Sequence, residues 1–382
     1  MMDAPTMYDH LIEPQAPLVF RSGRPFGAGS RDGANFPWPS SLAGLLRTQV
    51  MDDRGWRSPL TAAQQQELHA LGAHGPILAE RLAEADGKRV TPMLPRPADA
   101  VLLDVEGGDR AYHRLTPGTL PDDCGCDLPP ELQPLLLAGA PKGKPQPGPA
   151  YWPLATLLAW RGGEAVRPFT PDEPASETRS HVALDRATLA ADPGRLFQTE
   201  GLDFSRRRKN DGRGFAVRDW VFLCRFASPL AARTVTFGGE RRLSWLEPAP
   251  AAALDAPPEH VAAIAASRRI TLTVVTPALF TGGWRPAWLD AAGEVPGIAG
   301  LRLRLRAAAV ERWQGISGWD LAAWHPKGAR KAVAAGATYW FDVVGEPPAG
   351  WASRLWLAPI SDQPQDRRDG FGLVVPGLWN HP

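Results

Sequence analysis

The residues best suited to chemistry lie between Pro17 and Val50, where PLVFRSGRPFGAGSRDGANFPWPSSLAGLLRTQV joins an apolar strand, a basic glycine-rich loop and a helix. Arg21, Arg24 and Arg31 share the loop with Gly23, Gly27 and Gly29 before the first acid, Asp32. Guanidinium groups on a backbone with few Cβ atoms let a phosphate chain approach closely. Either Ser40 or Ser41 is expected to cap the helix bearing Leu42, Leu45 and Leu46, whose exposed N-terminal amides favour an anion. The chemistry implied is the gripping of a polyanion.

Two further patterns carry positive charge. SRRRKNDGRGFAVR, from Ser205 to Arg218, sets Arg206, Arg207, Arg208, Lys209, Arg213 and Arg218 against Asp211, a local excess of five. Such a run is either a solvated hairpin tip or a loop that follows a phosphate backbone. Phe204 and Phe215 flank it, placed to stack on bases or to anchor the core. LRLRLR, from Leu301 to Arg306, alternates with period two, putting Leu301, Leu303 and Leu305 on a dry face and Arg302, Arg304 and Arg306 on a basic one. That face suits RNA or an acidic partner, or guards an exposed sheet edge against aggregation.

Hydrolytic, redox and metal chemistry find little support. His181, in SHVALD beside Arg179, is the most interesting histidine, and an isolated histidine is more often a structural hydrogen-bonder than a catalyst. Cys124-Gly125-Cys126 near His113 lacks the CxxC spacing and second ligand pair of a zinc site. There is no Walker sequence, GxSxG elbow or HExxH, and DGFG at Asp369 to Gly372 lacks the strand-turn-helix context of a dinucleotide site. No metal and no cofactor are expected.

The elements that must position these groups are bounded by composition. At 382 residues with 44% hydrophobic content, the chain holds about two domains, each with a real core. Forty-two basic and 41 acidic residues nearly cancel, so any nucleic-acid site must be local. Forty Pro and 38 Gly make the chain loop-rich, and most of the fifteen Trp are expected in the core or at interfaces. Three cysteines build no disulfide framework, the first fifteen residues do not resemble a secretory signal, and no stretch approaches the roughly twenty apolar residues of a bilayer span. These features predict a cytoplasmic protein with no membrane contact.

Leu60 to Asp86, rich in Ala, Gln, Glu and Leu, is predicted as largely helical, an insertion over about 58–88. Val90 to Asp104 turns strand-like, and GAPKGKPQPGP, from Gly139 to Pro149, is expected to be a mobile loop or linker. In the second half, Trp220 to Phe226, Ile270 to Val275, Leu301 to Arg306 and Thr338 to Val344 are predicted strands, with a helix over Pro258 to Ser267. The pattern suggests an α+β protein of two ferredoxin-like βαββαβ domains, residues 1–175 and 176–382.

Four ordered blocks then resemble a known family: PLVFRSGRPFGAG with FPWPSSLAGLLRT; RSHVALDRATLAADPGRLFQTEGLDF from Arg179; SGWDLAAWHPKGARKAVAAGATYWFDV from Ser317; and GFGLVVPGLW from Gly370. The chain resembles the RAMP-superfamily subunits of type III-B (Cmr) CRISPR effector complexes, most closely the third subunit. The resemblance implies two RRM-like RAMP folds with helical and loop insertions and a projecting hairpin at about 179–218. It further implies a non-catalytic subunit that binds the 5′ handle of the CRISPR RNA, docks the large polymerase-like signalling subunit and adjoins a backbone RAMP subunit. Carried onto this sequence, Arg21, Gly23, Arg24, Ser40, Ser41, Arg47 and the Gly370 to Gly372 loop become handle contacts. Arg179 and His181 fall in the hairpin segment, followed by Arg206, Arg207, Arg208, Lys209 and Arg213. Ser22 stands where relatives often carry an acid, and the C-terminal loop is less glycine-rich than in many relatives. Two alternatives remain: a metal-independent RAMP endoribonuclease with His181 as general base, and a protein-only structural subunit.

Overall fold

The computed structural model describes residues 6–20, 31–32, 35–84, 87–105, 108–137, 139, 141–170, 173–204, 207–210, 215–320 and 325–379. It is mixed α/β, with many strands and few helices. The chain gathers into two units that interleave along the sequence: Met1–Thr91, Pro174–Ala253 and Gly315–Lys331 form the first; Pro92–Glu173, Leu254–Gln314 and Ala332–Pro382 form the second. The expected division into 1–175 and 176–382 is therefore corrected, since each half of the chain contributes to both units.

In the first unit, β1 (Tyr8–Pro14), β2 (Ala73–Glu84), β5 (Phe215–Phe226), β6 (Arg233–Thr236) and β7 (Leu243–Pro248) lie in the order β6-β7-β1-β5-β2. All four pairings are antiparallel. β3 (Ala175–Leu184) and β4 (Ala191–Asp203) form a separate hairpin, so the projecting hairpin expected at 179–218 is two hairpins, the second made by Arg207–Asn210 and the start of β5. Helix α1 (Pro39–Asp53) lays Leu42 and Leu46, both fully buried, on the sheet. β5 is central and buried on both faces from Trp220 to Cys224, which is why its sequence is a continuous apolar run rather than an alternation.

The helical reading of 58–88 holds only for α2 (Ala62–Ala70), which Thr61 and Gln64 start with a reciprocal capping box. Residues 73–84 form β2, with Ile77, Leu78 and Ala79 at most 2% exposed. Their helix-favouring composition is overridden by antiparallel pairing with β5, because sheet burial outweighs a weak local preference.

In the second unit, β8 (Arg269–Val274), β9 (Arg302–Ala309), β10 (Thr338–Val344) and β11 (Leu373–Leu378) lie in the order β9-β10-β8-β11, again all antiparallel. One face carries Ile270, Leu272, Leu303, Leu305, Tyr339 and Phe341 in a single core. Helices α4 (Pro258–Ala266) and α5 (Trp351–Leu355) join that core through Ile264, Trp351 and Leu355. Gly143–Pro145, within the expected loop or linker, instead adds an edge strand to Leu103–Val105. A Cβ on Gly143 would stand 2.6 Å from the Asp104 carbonyl, so glycine permits the approach. Among the described residues, no helix is long and apolar enough to cross a membrane.

Helix α3 (Leu154–Arg161) meets β11 and ends in a buried ion pair, with Arg161 and Asp99 side chains both 1% exposed. Asp99 also accepts from Trp160 Nε1 at 3.0 Å, while Arg161 donates to Thr338 Oγ1 at 2.9 Å. Gly377 leaves room for this, since a Cβ there would lie 2.5 Å from Arg161 Cδ. Burial alone would raise the Asp99 carboxyl, but the Arg161 guanidinium and the Trp160 hydrogen bond hold it below the usual carboxylate range. Arg114 stacks 3.7 Å over Trp160, and burial lowers its guanidinium to about 10.

Asp99→Asn leaves the Arg161 charge without its carboxylate and should lower stability by about 3–5 kcal/mol in urea unfolding at neutral pH. Because the folded-state pKa of Asp99 is depressed, that stabilisation is present above its unfolded value and is lost as pH falls through the folded one. His74 has the opposite chemistry: burial, then Arg225 on the neighbouring strand, lower it from 6.5 to about 4. Between those values the unfolded chain binds the extra proton, so stability should fall by about 1.4 kcal/mol per pH unit on acidification. His74→Gln should flatten that slope in melts recorded across the window.

Candidate nucleic-acid interface

The flanks of the Arg21–Ser30 segment are held by one strand of the first unit. On the near side Leu18 exchanges two backbone hydrogen bonds with Leu202 of β4, each 2.8 Å. On the far side Arg31 and Asp32 run parallel to β4, opposite Gln198 and Thr199. Asn35 Nδ2 donates to the Phe20 carbonyl at 2.9 Å. Arg21, Gly23 and Arg24 lie outside the described residues.

Aromatic packing fixes the same flanks from beneath. Phe20 meets Phe237 edge-on at 5.0 Å, Phe237 meets Phe222 of β5 at 5.9 Å, and Phe222 is met by Phe36 at 5.4 Å and by Phe204 at 4.9 Å. Phe204 is 4% exposed, which makes it a core anchor rather than a base-stacking group. Rings on both sides of the segment thus share one support, with contacts worth roughly 0.5–1.5 kcal/mol each beyond their burial.

The β6–β7 turn closes over Val19. Gly239 N donates to the Val19 carbonyl at 2.8 Å, and a Cβ on Gly238, whose φ is +81°, would lie 3.0 Å from that oxygen. The two glycines are therefore set by close approach. Glu240 and Arg241 follow with φ of 58° and 51°, a left-handed pair that normally favours Asn-Gly. Arg242 is ion-paired to Glu240, and Arg241 is exposed. The sequence reading missed this turn, although FGGERR couples a glycine pair to two arginines.

On the hairpin, Arg179 is paired with Glu177, whose hydrogen bond raises the guanidinium above its ordinary value, with Glu240 adding to the effect. His181 Nε2 and Thr199 Oγ1 are hydrogen-bonded at 2.8 Å, and the imidazole stacks on Phe197 with ring centres 5.0 Å apart. Val182, Leu184, Leu189 and Leu196 stand exposed toward the hairpin tip.

Other expected contacts are placed differently. Trp38 occupies the N-cap of α1 without a side-chain bond, and Pro39 follows it, so Ser40 and Ser41 fall inside the first turn rather than capping it. Arg47 is 9% exposed, with its guanidinium donating to the Leu71 carbonyl at 2.8 Å; it ties α1 to the chain entering β2 and does not face solvent. Gly370 and Gly372 belong to the second unit and are buried, with Thr276 Oγ1 donating to the Gly370 carbonyl at 2.6 Å. A Cβ on Gly372 would meet Ser361 Oγ at 2.7 Å, so this loop closes on its own unit. Arg207, Arg208 and Lys209 pair through their backbone with Arg218, Val217 and Ala216, while Arg206 and Arg213 lie outside the described residues. Cys124 and Cys126 are exposed, and among the described residues no three His, Cys, Asp or Glu side chains converge as a metal site.

Fold and site together define a strand-rich α/β protein in which Leu18 and Arg31–Asp32, on either side of the glycine- and arginine-rich sequence, both bond to β4. The chain belongs to the CRISPR-associated protein (Cas_Cmr3) family, whose model matches residues 10–379, which makes it a Cmr3-like subunit of a type III-B CRISPR effector. No curated protein matches it. Among solved structures, it is similar to a chain of the type III-B Cmr-beta complex bound to cognate target RNA and AMPPnP, at 15% identity over 87% of this chain and 86% of that one, TM-score 0.46. A chain of Cmr-beta bound to cognate target RNA gives 16% identity, the same coverage and TM-score 0.46.

The strained turn supplies a direct test. Replacing Glu240-Arg241 with Asn-Gly should raise thermal stability by about 1 kcal/mol, because it supplies the residues a left-handed pair prefers. A calorimetric melt of the double variant reads this directly.

Proposed function

We propose that this chain is a non-catalytic RNA-binding scaffold that clamps the 5′ handle of the CRISPR RNA with the basic end of its first unit. The observation that carries this reading is the attachment of both flanks of Arg21–Ser30 to the strand that pairs with Arg179 and His181. Those two attachments set where the glycine- and arginine-rich sequence enters and leaves the first unit. Arg241 and Arg179 add charge at its margin, and the exposed apolar hairpin tip offers surface for unstacked bases.

Docking of the large polymerase-like subunit and of an adjacent backbone RAMP subunit is proposed on family membership. The two units are read as ferredoxin-like RAMP folds, supported by their strand orders β7-β1-β5-β2 and β11-β8-β10-β9, each equivalent to 4-1-3-2. His181 is held by the Thr199 hydroxyl and the Phe197 ring.

Charge reversal at Arg179 and Arg241 should reduce the guide RNA retained by complexes purified through this chain, with the isolated variant melting as the parent does. Each lost single-strand phosphate contact should reduce the salt slope of binding by about 0.7. Unchanged guide content would overturn the clamp, and precursor cleavage abolished by His181→Ala would replace it with a nuclease.

A further inference from the structure

The second unit carries a charged face that the clamp leaves unused. On the sheet surface away from the core, Arg304 of β9, Asp342 of β10 and Arg269 of β8 form a row across three adjacent strands. Three guanidinium groups converge on one carboxylate: Arg304 at 3.0 Å, Arg269 at 3.7 Å and Arg306 at 3.8 Å from Asp342 oxygens. Arg302, one same-face step along β9, is exposed and has no ion pair among the described residues. Three cations thus surround one acid, and Arg302 adds a fourth along the strand, with Glu294 bridged opposite it. A lone carboxylate cannot satisfy three forked donors, so the arrangement has unused capacity for a second anion.

Arg269 also marks the boundary of an open cleft of about 530 Å³ between the end of α4 and the last residues of β11, lined by Ala263, Ala266, Arg268, Leu378 and Trp379. Its guanidinium lies 5.0 Å from the centre of the Trp379 ring, which is 7% exposed and braces it from below. The Arg269 side chain remains 59% exposed. A braced, planar cation at the mouth of a cleft of this size is a stacking platform for a base. Same-face arginines on β9 repeat about every 6.7 Å, a spacing that suits successive phosphates of an extended strand. A protein partner would be expected to meet a desolvated apolar centre, whereas this row consists of arginines and one aspartate.

We propose that this face is a second binding surface for single-stranded RNA, with Arg302, Arg304 and Arg306 on phosphates and a base stacked on Arg269 over Trp379. The inference rests on the reading of the chain as RNA-binding. Asp342 occupies the donors in the free protein and acts as a built-in competitor, so its removal should strengthen binding.

The test uses the full chain and a short oligouridine RNA carrying 4-thiouridine, with crosslinked peptides mapped and affinity followed against salt. Crosslinks to peptides containing Arg269 or Trp379 are expected. Arg302→Glu with Arg304→Glu should lower the salt slope by about 0.7 per lost contact, and Asp342→Asn should tighten binding. Arg269→Lys, which keeps the charge and removes the plane, should weaken the crosslink with little change in slope. Absence of these crosslinks, with an unchanged slope in the Arg302/Arg304 variant while Arg179→Glu still weakens binding, would overturn the second surface and leave the clamp standing. Loss of neither signal in either variant would overturn both. In the assembled complex, protein crosslinks at Arg302 to Arg306 without RNA crosslinks would assign the face to a protein and overturn the proposal.

Discussion

Backbone hydrogen bonding by a single strand, β4, sets the geometry on which the basic end of the first unit depends. β4 pairs with β3 along one edge and receives Leu18 and Arg31–Asp32 as separate pieces of chain. Side chains could not do this as well, because each exposed ion pair on such a surface contributes little and is screened by salt. A ladder bond combines direction with a requirement to be satisfied, so the two flanks are fixed in register rather than merely attracted.

The second unit solves a different problem. Its sheet is covered on one face by an apolar core and near one end of the other by a buried salt bridge, Arg161 to Asp99, reached through the gap left at Gly377. The cost of burying that pair is offset by bonds from Trp160 and to Thr338. Elsewhere on that face the arginine row stays solvated, and strand β9 shows how one sequence serves both sides: Leu303 and Leu305 are buried while Arg304 stands 63% exposed.

Much of this was legible in the sequence where the cause was local. LRLRLR announced its two faces, Thr338–Val344 was bounded correctly by its apolar run, and the helix after Pro258 began where a first-turn proline permits. The failures have distant causes. Residues 73–84 read as helix because their composition favours it, and only pairing with a strand some 140 positions away makes them extended. Arg47 entered as a handle contact through the family resemblance, and nothing nearby in sequence shows that the Leu71 carbonyl waits for it. Gly238 and Gly239 were passed over because the oxygen that requires them belongs to Val19. The interleaving of the units leaves no trace in composition at all.

That interleaving bears on how the protein is made. Tyr8 pairs with Phe226, so β1 leaves the ribosome more than two hundred residues ahead of its central partner. At translation speeds of about 5–20 residues per second, the wait is on the order of ten to forty seconds. Throughout it Leu11 and Ile12, which end at 2% and 0% exposure, are open to water and to other nascent chains. A ribosome that stalls before Phe226 therefore releases an apolar strand with no sheet to join, a substrate for chaperones and proteases.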